Sequence, residues 1–223
     1  MDILSLDTSS RYICISYLKN NKIVNKYIKK YAKNQIYILD IISYMLTCRN
    51  TDILHNIVYC YGPGSFIGTR LSSSITQGLS FPKKIPTTKL SIMHIYANAL
   101  KKFNFMRGNT FLIVIQVNDT KYFCALFKIL NKVVIRLSND KVRTLKQINQ
   151  LFHIYQIIVI GKELKIFNQL LSQCQINSNV YFFKNANMLT SCLLVRMSNL
   201  INKHSIFFSK KSMLNKVLPY YLS

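Results

Sequence analysis

The order of strand-like and helix-like segments constrains the fold most strongly, because the same order occurs twice along the chain. The segments MDILSLDTSS (1–10) and HNIVYCYG (55–62) contain short apolar runs that are typical of β-strands. Residues 34–47 and 66–80 carry apolar residues at helical spacing. The order starts again with the strand FLIVIQV (111–117), so each half has the pattern β-β-β-α-β-α. This duplication predicts an α/β protein with two related lobes, each a mixed sheet flanked by helices.

A polar segment at 104–110, NFMRGNT, is the predicted hinge between the halves. It divides the chain into an N-terminal lobe at 1–106 and a C-terminal lobe at 107–223, each the size of a small domain. The other elements predicted in the first lobe are strands at 11–20, at 22–31 and within 84–89, and a helix at 90–103. The second lobe is predicted to contain a hairpin of 121–130 and 132–138 around Asn131 and strands at 155–161 and 180–183. Its predicted helices are at 143–152, 162–174 and 187–203.

The charge balance of the 223-residue chain is strongly positive, with 30 Lys and Arg residues against seven Asp and Glu residues and a formal charge of +23. An excess of this size is typical of proteins that neutralise nucleic-acid phosphates. We favour a biased composition as its main origin, because the chain is rich in Lys, Asn, Ile, Tyr and Phe throughout and its lysines form no single block. The two interpretations are compatible.

The cysteine and histidine residues do not indicate a metal site or a disulfide framework. None of the six cysteines forms a C-x-x-C pair and most lie in apolar runs, which predicts buried free thiols. The four histidines, His55, His94, His153 and His204, lack the spacing of metal ligands. Asp2 follows the initiator without a basic segment, and the longest apolar runs have the length of strands. We therefore expect a cytoplasmic protein without a metal centre, a signal peptide or a membrane segment.

The segment YGPGSFIGTR (61–70) places three glycines and a proline around the start of the second helix. Its spacing matches neither the phosphate loop G-x-x-x-x-G-K-[ST] nor the dinucleotide fingerprint G-x-G-x-x-G, and Pro63 has no N–H to offer a phosphate. Binding of an anion at the helix N-terminus stays open. Ser65 is predicted to cap the helix by accepting from Gly68 or Ile67. The alternative is that Ser65 is a nucleophile, but the sequence around it does not have the G-x-S-x-G spacing.

The second helix, 66–80, has an apolar side and a side of small polar residues. The apolar side is predicted to face a core, whereas the small side either lets another backbone approach closely or is simply solvated. The first helix, 34–47, is apolar on two sides, which favours a partner because a surface helix needs only one apolar face. The predicted core side of the second helix consists of Ile67, Leu71, Ile75, Gly78 and Leu79, and its other side of Gly68, Ser72, Ser73, Thr76 and Ser80.

Three segments of the sequence resemble the TsaB (YeaZ) family. They are MDILSLDTSS (1–10), YGPGSFIGTRL with the following ITQGLSF (61–81), and IPTTKLSIMHIYA (85–97). The resemblance covers about residues 1–100. The residues that match the family motifs G-P-G-S-F-x-G-x-R and Q-G-L are Gly62, Pro63, Gly64, Ser65, Phe66, Gly68, Arg70, Gln77, Gly78 and Leu79.

The resemblance implies two ribonuclease H-like lobes of the actin-like, sugar kinase and Hsp70 (ASKHA) type. It also implies a non-catalytic subunit of a tRNA threonylcarbamoyl transferase complex. Family members partner the TsaD transferase and, with the TsaE ATPase, support formation of N6-threonylcarbamoyladenosine (t6A) at position 37 of tRNAs that read codons beginning with A. By this resemblance the chain itself binds no cofactor or metal. ATP or ADP and the metal are expected on the partner subunits, and tRNA is reached through the complex.

The resemblance further implies that the two N-lobe helices dock onto the equivalent helices of TsaD, or onto a second copy of this chain as a homodimer. No catalytic residue follows from it. The predicted contact residues are Ile41, Tyr44, Met45, Gly62, Pro63, Gly64, Ser65, Phe66, Gly68, Arg70, Ser72, Ser73 and Thr76.

Two other functions stay open on the sequence. One is a nucleotide-dependent enzyme or a peptidase of the same superfamily, for which Asp7 would have to lie near magnesium and phosphate, as in nucleotide-binding relatives. We favour instead a role of Asp7 in closing the turn at 7–10 through its side chain. The other is a stand-alone basic RNA-binding protein, although no aromatic RNA-binding motif accompanies the lysines.

Overall fold

The computed structural model contains two compact α/β units, each built on a mixed sheet. Among the described residues, the first unit ends at Ile95 and the second begins at Tyr96. The predicted boundary between 106 and 107 lies outside the described residues and stays a prediction. The structure describes residues 2–10, 12–20, 22–30, 37–47, 54–100, 109–116, 120–131, 133–151, 154–161 and 180–184.

The first unit has a five-stranded sheet in the order β3-β2-β1-β4-β5. Strand β2 is antiparallel to both of its neighbours, whereas β1, β4 and β5 are parallel to one another. The central strand β1 is buried along its whole length, as expected for a strand covered on both faces. The elements up to the boundary between the units are β1 (Asp2–Asp7), β2 (Tyr12–Lys19), β3 (Lys22–Lys30), α1 (Ile38–Thr47), β4 (Asn56–Gly62), α2 (Phe66–Lys83), β5 (Thr87–Ser91) and α3 (Ile92–Ala99). Helix α3 crosses this boundary.

The core of the first unit lies between the sheet and helices α1 and α2. Alternate residues of the strands point to one face, so Leu4 of β1 and Ile15 of β2 enter the same cluster. Helix α1 contributes Ile38, Ile42 and Met45, whose spacing forms one stripe along the helix. This packing fixes which sides of α1 remain available at the surface.

The second unit repeats the order of the first. Its sheet runs β8-β7-β6-β10-β11, with β9 also paired to β7. The antiparallel pair β6–β7 and the parallel strands β6, β10 and β11 correspond in order and direction to β1, β2, β4 and β5. Its elements are β6 (Thr110–Gln116), β7 (Lys121–Leu130), β8 (Val133–Arg136), β9 (Lys141–Thr144), α4 (Leu145–Asn149), β10 (Gln156–Gly161) and β11 (Val180–Lys184).

The predicted duplication of α/β lobes is confirmed by these two sheets. The hairpin around Asn131 is also confirmed, and Asn131 has the positive φ of 48° that such a turn uses. Strand β9 was not predicted, and α4 is shorter than the predicted helix at 143–152 because its first residues form that strand. The predicted helices at 162–174 and 187–203 lie outside the described residues.

Candidate functional site

The loop from β4 to α2 is tied to the turn that follows β1. Strand β4 ends at Gly62, whose φ of 111° favours glycine. Ser65 then caps α2, because its Oγ accepts from the N–H of Gly68 at 3.3 Å, and this confirms the predicted capping role. The N–H of Ser65 donates to the carbonyl of Ser9 at 2.7 Å, and the N–H of Thr69 donates to the carbonyl of Ser65. These three N–H groups are therefore already used within the chain.

Two glycines allow this close contact between loop and turn. A Cβ atom on Gly68 would collide with the carbonyl oxygen of Thr8. A Cβ atom on Gly64 would collide with the carbonyl oxygen of Ser9 and lie 2.9 Å from the Cβ of that serine. Backbone thus approaches backbone within the first unit, and the two glycines are explained without a phosphate or a partner.

Hydroxyl groups lock the same turn onto α2. The N–H of Thr8 donates to the Oγ of Ser72 at 3.1 Å, and the Oγ1 of Thr8 donates to the carbonyl of Gly68 at 2.5 Å. The two hydroxyl oxygens of Thr8 and Ser72 are 2.6 Å apart. All of these groups are buried, so each polar atom requires such a partner.

The predicted orientation of α2 is therefore wrong only in part, because Leu71, Ile75 and Leu79 pack on the core of the first unit as predicted. The helix also buries its small polar side, where Gly68 and Ser72 contact the β1–β2 turn, and it exposes Ile67, which was expected in the core. Ile67 is 69% exposed, and Gly78 has open space where a side chain would be. Ile75 is buried as predicted, but Ser72, Ser73 and Thr76 are also buried and are not at the surface where partner contact was predicted. The buried residues of α2 are Gly68, Thr69, Ser72, Ser73, Ile75, Thr76 and Ser80.

The other predicted contact residues divide between buried and exposed positions. Met45 packs in the core, and Gly62 and Pro63 are buried at the end of β4, so these three predicted partner-contact residues do not lie at the surface of the first unit. Ile41 is half-buried. The guanidinium of Arg70 lies 3.6 Å from the ring centroid of Phe66, an exposed cation–π contact. The predicted contact residues that are exposed are Tyr44, Gly64, Ser65, Phe66 and Arg70.

Asp7 closes the β1–β2 turn from inside. It is fully buried, and its Oδ1 accepts from the N–H of Ser9 at 2.8 Å and from the Oγ of Ser9 at 2.6 Å. The same hydroxyl lies 3.4 Å from the Sγ of Cys60. Burial, followed by the charge of Asp7, raises the pKa of the Cys60 thiol well above its ordinary value. Cys60 is therefore a neutral packing residue and a poor nucleophile.

Sequence reasoning missed the turn residues that complete this cluster. Thr8 and Ser9 supply the carbonyls and hydroxyls that the glycine loop contacts. The available signal was the run of four polar residues directly after a buried strand. The exposed side chain of Phe81, near the end of α2, was also missed.

Within the described ranges, no group of three or more His, Cys, Asp or Glu side chains is placed to hold a metal ion. None of the helices that the structure describes combines the length and the apolar character needed to cross a membrane.

No family model matches the chain. Two curated relatives match it along almost its whole length. The tRNA threonylcarbamoyladenosine biosynthesis protein TsaB of Buchnera aphidicola subsp. Baizongia pistaciae is 26% identical over 99% of this chain and 97% of the relative. The protein of the same name from Buchnera aphidicola subsp. Acyrthosiphon pisum is 25% identical over 92% of this chain and 93% of the relative.

Solved structures agree with the fold. YeaZ from Pseudomonas aeruginosa has a TM-score of 0.71 at 13% identity, covering 99% of this chain and 100% of that chain. Lmo2764 of Listeria monocytogenes, a candidate N-acetylmannosamine kinase, has a TM-score of 0.56 at 11% identity, covering 91% of this chain and 100% of that chain. The fold places the chain in the actin-like and sugar kinase class, with two ribonuclease H-like lobes. Within that class, the chain is similar along almost its whole length to proteins named TsaB and YeaZ.

Proposed function

We propose that the chain acts in tRNA modification as a non-catalytic subunit that partners a TsaD-type transferase in forming t6A. Its two curated relatives are named for this pathway and align with almost the whole chain. One structural observation supports this proposal most directly. The glycine loop holds α2 onto the β1–β2 turn, and apolar residues of α2 remain exposed.

The chemistry around Asp7 supports a non-catalytic role. Its Oδ1 is occupied by Ser9, and the whole side chain is buried. The N–H groups of Ser65, Gly68 and Thr69 at the start of α2 donate within the chain and not to a phosphate. Under this proposal the nucleotide and the metal are held by the TsaD-type and TsaE-type subunits. Binding of ATP by the isolated chain would instead support a nucleotide-dependent enzyme.

The exposed side of α2 has the form of a helix-docking face. Ile67, Leu71, Gly78 and Phe81 follow helical spacing along one stripe. Ile67, Gly78 and Phe81 are exposed, Phe81 by 76%, whereas Leu71 is half-buried and packs in part on the core. Gly78 sits within the stripe with no atom near the place of its missing Cβ. A partner helix can approach closely there, because no side chain separates the two backbones. We define Ile67, Leu71, Gly78 and Phe81 as the docking face.

Co-purification with the matching TsaD-type subunit tests this assignment. Ile67→Glu places a charge in the docking face and is expected to weaken the complex by at least tenfold, since the carboxylate would be desolvated on binding. Ile154→Glu is the matched control, because Ile154 is a similarly exposed isoleucine, 64%, in the second unit. If Ile67→Glu and the wild type formed the complex equally well, the assignment of the docking face would be contradicted. If Ile67→Glu instead lost only self-association, the occupant would be a second copy of this chain.

A further inference from the structure

A groove between strand β3 and helix α1 combines basic and aromatic side chains. It consists of two adjoining cavities of about 230 and 630 Å³ that share Tyr27 and Ile41. Lys29, Lys30 and Tyr37 line the first cavity. Lys26, Asp40 and Tyr44 line the second cavity. We call these two cavities the β3–α1 groove.

The register of the sheet explains why these side chains meet. Tyr27 pairs with Ile15 and Lys29 pairs with Ile13, so both lie on the face of the sheet that α1 covers. Strand β3 is the edge strand of the described sheet, and α1 does not cover its outer residues completely. An open channel therefore remains between the edge strand and the helix.

One flank of α1 supplies the other wall of the groove. Tyr37, Ile41 and Tyr44 are spaced i, i+4 and i+7, which aligns them along the helix. Tyr37 is 63% exposed and Tyr44 is 68% exposed, so both rings present much of their surface to solvent. Leu39 lies on the opposite flank of α1 by helical geometry, and the docking face is on α2. The groove thus lies apart from the docking face on α2, although Ile41 and Tyr44 are also among the contact residues that the family resemblance implies.

The charge of the groove is positive. Strand β3 carries four lysines and no acidic residue, and Asp40 is the acidic residue that lines the cavities. Lysines on an edge strand also deter pairing with strands of other molecules. Lys29 shares the sheet face of Tyr27, whereas Lys26 and Lys30 pair with Ser16 and Tyr12 on the alternate face and line the cavities from the edge strand. Protection of the edge does not explain the exposed tyrosines beside these lysines.

We infer that the β3–α1 groove binds single-stranded RNA. Lysine ammonium groups neutralise phosphates, and the faces of tyrosine rings stack with bases in a way that tolerates any sequence. Tyr37 and Tyr44 are two helical turns apart, which places two stacking faces along one channel. An acidic peptide would use the lysines but would have no use for the flat aromatic faces. This inference concerns the isolated chain and does not rest on the proposed partner.

Binding of a fluorescein-labelled, mixed-sequence single-stranded RNA of about 20 nucleotides to the full chain tests the inference. Fluorescence anisotropy across a salt series gives the affinity and its salt dependence. The triple variant Lys26→Glu/Lys29→Glu/Lys30→Glu is expected to bind at least tenfold more weakly. Its log–log salt slope should be shallower by about 2, since each phosphate contact on a single strand contributes roughly 0.7.

The matched control reverses the same number of charges elsewhere. Lys83→Glu/Lys141→Glu/Lys146→Glu changes three exposed lysines away from the groove and should weaken binding less than threefold. The second test variant, Tyr37→Ala/Tyr44→Ala, keeps every charge. It should bind at least fivefold more weakly with an unchanged salt slope, because stacking is lost and the phosphate contacts remain. Circular dichroism melting checks that each variant is folded.

Four results would overturn the inference. The first is no binding of RNA by the wild-type chain at low salt, and the second is an equal loss of RNA affinity in the two triple-lysine variants. The third is wild-type affinity in the tyrosine variant. The fourth is displacement of RNA by polyglutamate at the same concentration at which unlabelled RNA displaces it. The last result would assign the groove to acidic peptides instead. Cross-linking of the bound RNA to Tyr37 or Tyr44, mapped by mass spectrometry, would support the inference directly.

Discussion

The hydroxyl oxygens of Thr8 and Ser72 lie 2.6 Å apart, although the two residues are 64 positions apart in sequence. This contact joins the turn after the central strand β1 to the buried side of helix α2. It explains why that side consists of glycine, serine and threonine, because larger residues would not allow the turn to approach. It also determines which side of α2 is exposed, and therefore which residues a partner can meet.

A pair of glycine substitutions tests this interlock. Gly68→Ala should lower the free energy of unfolding by about 1–3 kcal/mol, because the added methyl collides with the carbonyl of Thr8. Gly78→Ala should raise it by up to about 1 kcal/mol, because the site is open and alanine favours helix. Urea unfolding of the two variants measures both effects. Similar stability changes at the two glycines would contradict the account.

Ser72→Ala is expected to destabilise the chain without touching a partner. It removes the acceptor of the buried Thr8 N–H and should cost about 1–3 kcal/mol. Ser74→Ala, on the exposed side of the same helix, should change stability by no more than about 0.5 kcal/mol. Thermal unfolding followed by circular dichroism measures both. By the same reasoning, Ser72→Arg should prevent folding of the first unit, so loss of a complex by that variant would not report on docking.

The role of Asp7 is tested by comparing two substitutions. Asp7→Ala removes the acceptor of two hydrogen bonds from Ser9 and should lower the free energy of unfolding by about 1–3 kcal/mol. Asp7→Asn keeps an oxygen in place and should retain most of the stability and the t6A-forming activity. A folded Asp7→Asn variant without that activity would instead indicate a carboxylate that acts on metal or nucleotide.

Stability at high pH should depend on Cys124. Burial raises the pKa of its thiol from 9.0 to about 12, an effect partly opposed by Arg143. Below pH 9 the thiol is protonated in both the folded and the unfolded chain, so its contribution to stability is fully present. Between pH 9 and 12 the unfolded chain releases the proton while the folded chain keeps it, which favours unfolding. Urea unfolding at pH 8 and 10 should show a loss of order 1 kcal/mol that Cys124→Ala reduces. An equal loss in both proteins would contradict the assignment.

The fold could be predicted because its signals are local. Alternating strands, the turn at Asn131 and the cap at Ser65 each depend on a few neighbouring residues. The repeated order of these elements then predicted two similar sheets, which the structure confirms. Strand β9 escaped prediction because it is four residues long and pairs with a distant segment of β7.

The burial of the small polar side of α2 could not be predicted, for a physical reason. Helical periodicity separates two sides of a helix, but the usual rule buries the apolar one. Here the carbonyls of Thr8 and Ser9 require small polar neighbours, and they come from a turn far away in sequence. Ile67 is left exposed as a result. Under the proposed function, this exposed apolar side chain serves contact with another molecule.

The proposed function gives the docking face a role in t6A formation. The most direct test is the t6A content of total tRNA, measured by mass spectrometry in a strain that lacks its own TsaB. That strain carries this chain with its matching TsaD-type subunit. The account predicts that the wild-type chain and Ile154→Glu restore the modification, whereas Ile67→Glu, equally abundant and folded, does not. Restoration by Ile67→Glu at the wild-type level, or no restoration by a soluble wild-type chain with a competent partner, would contradict it.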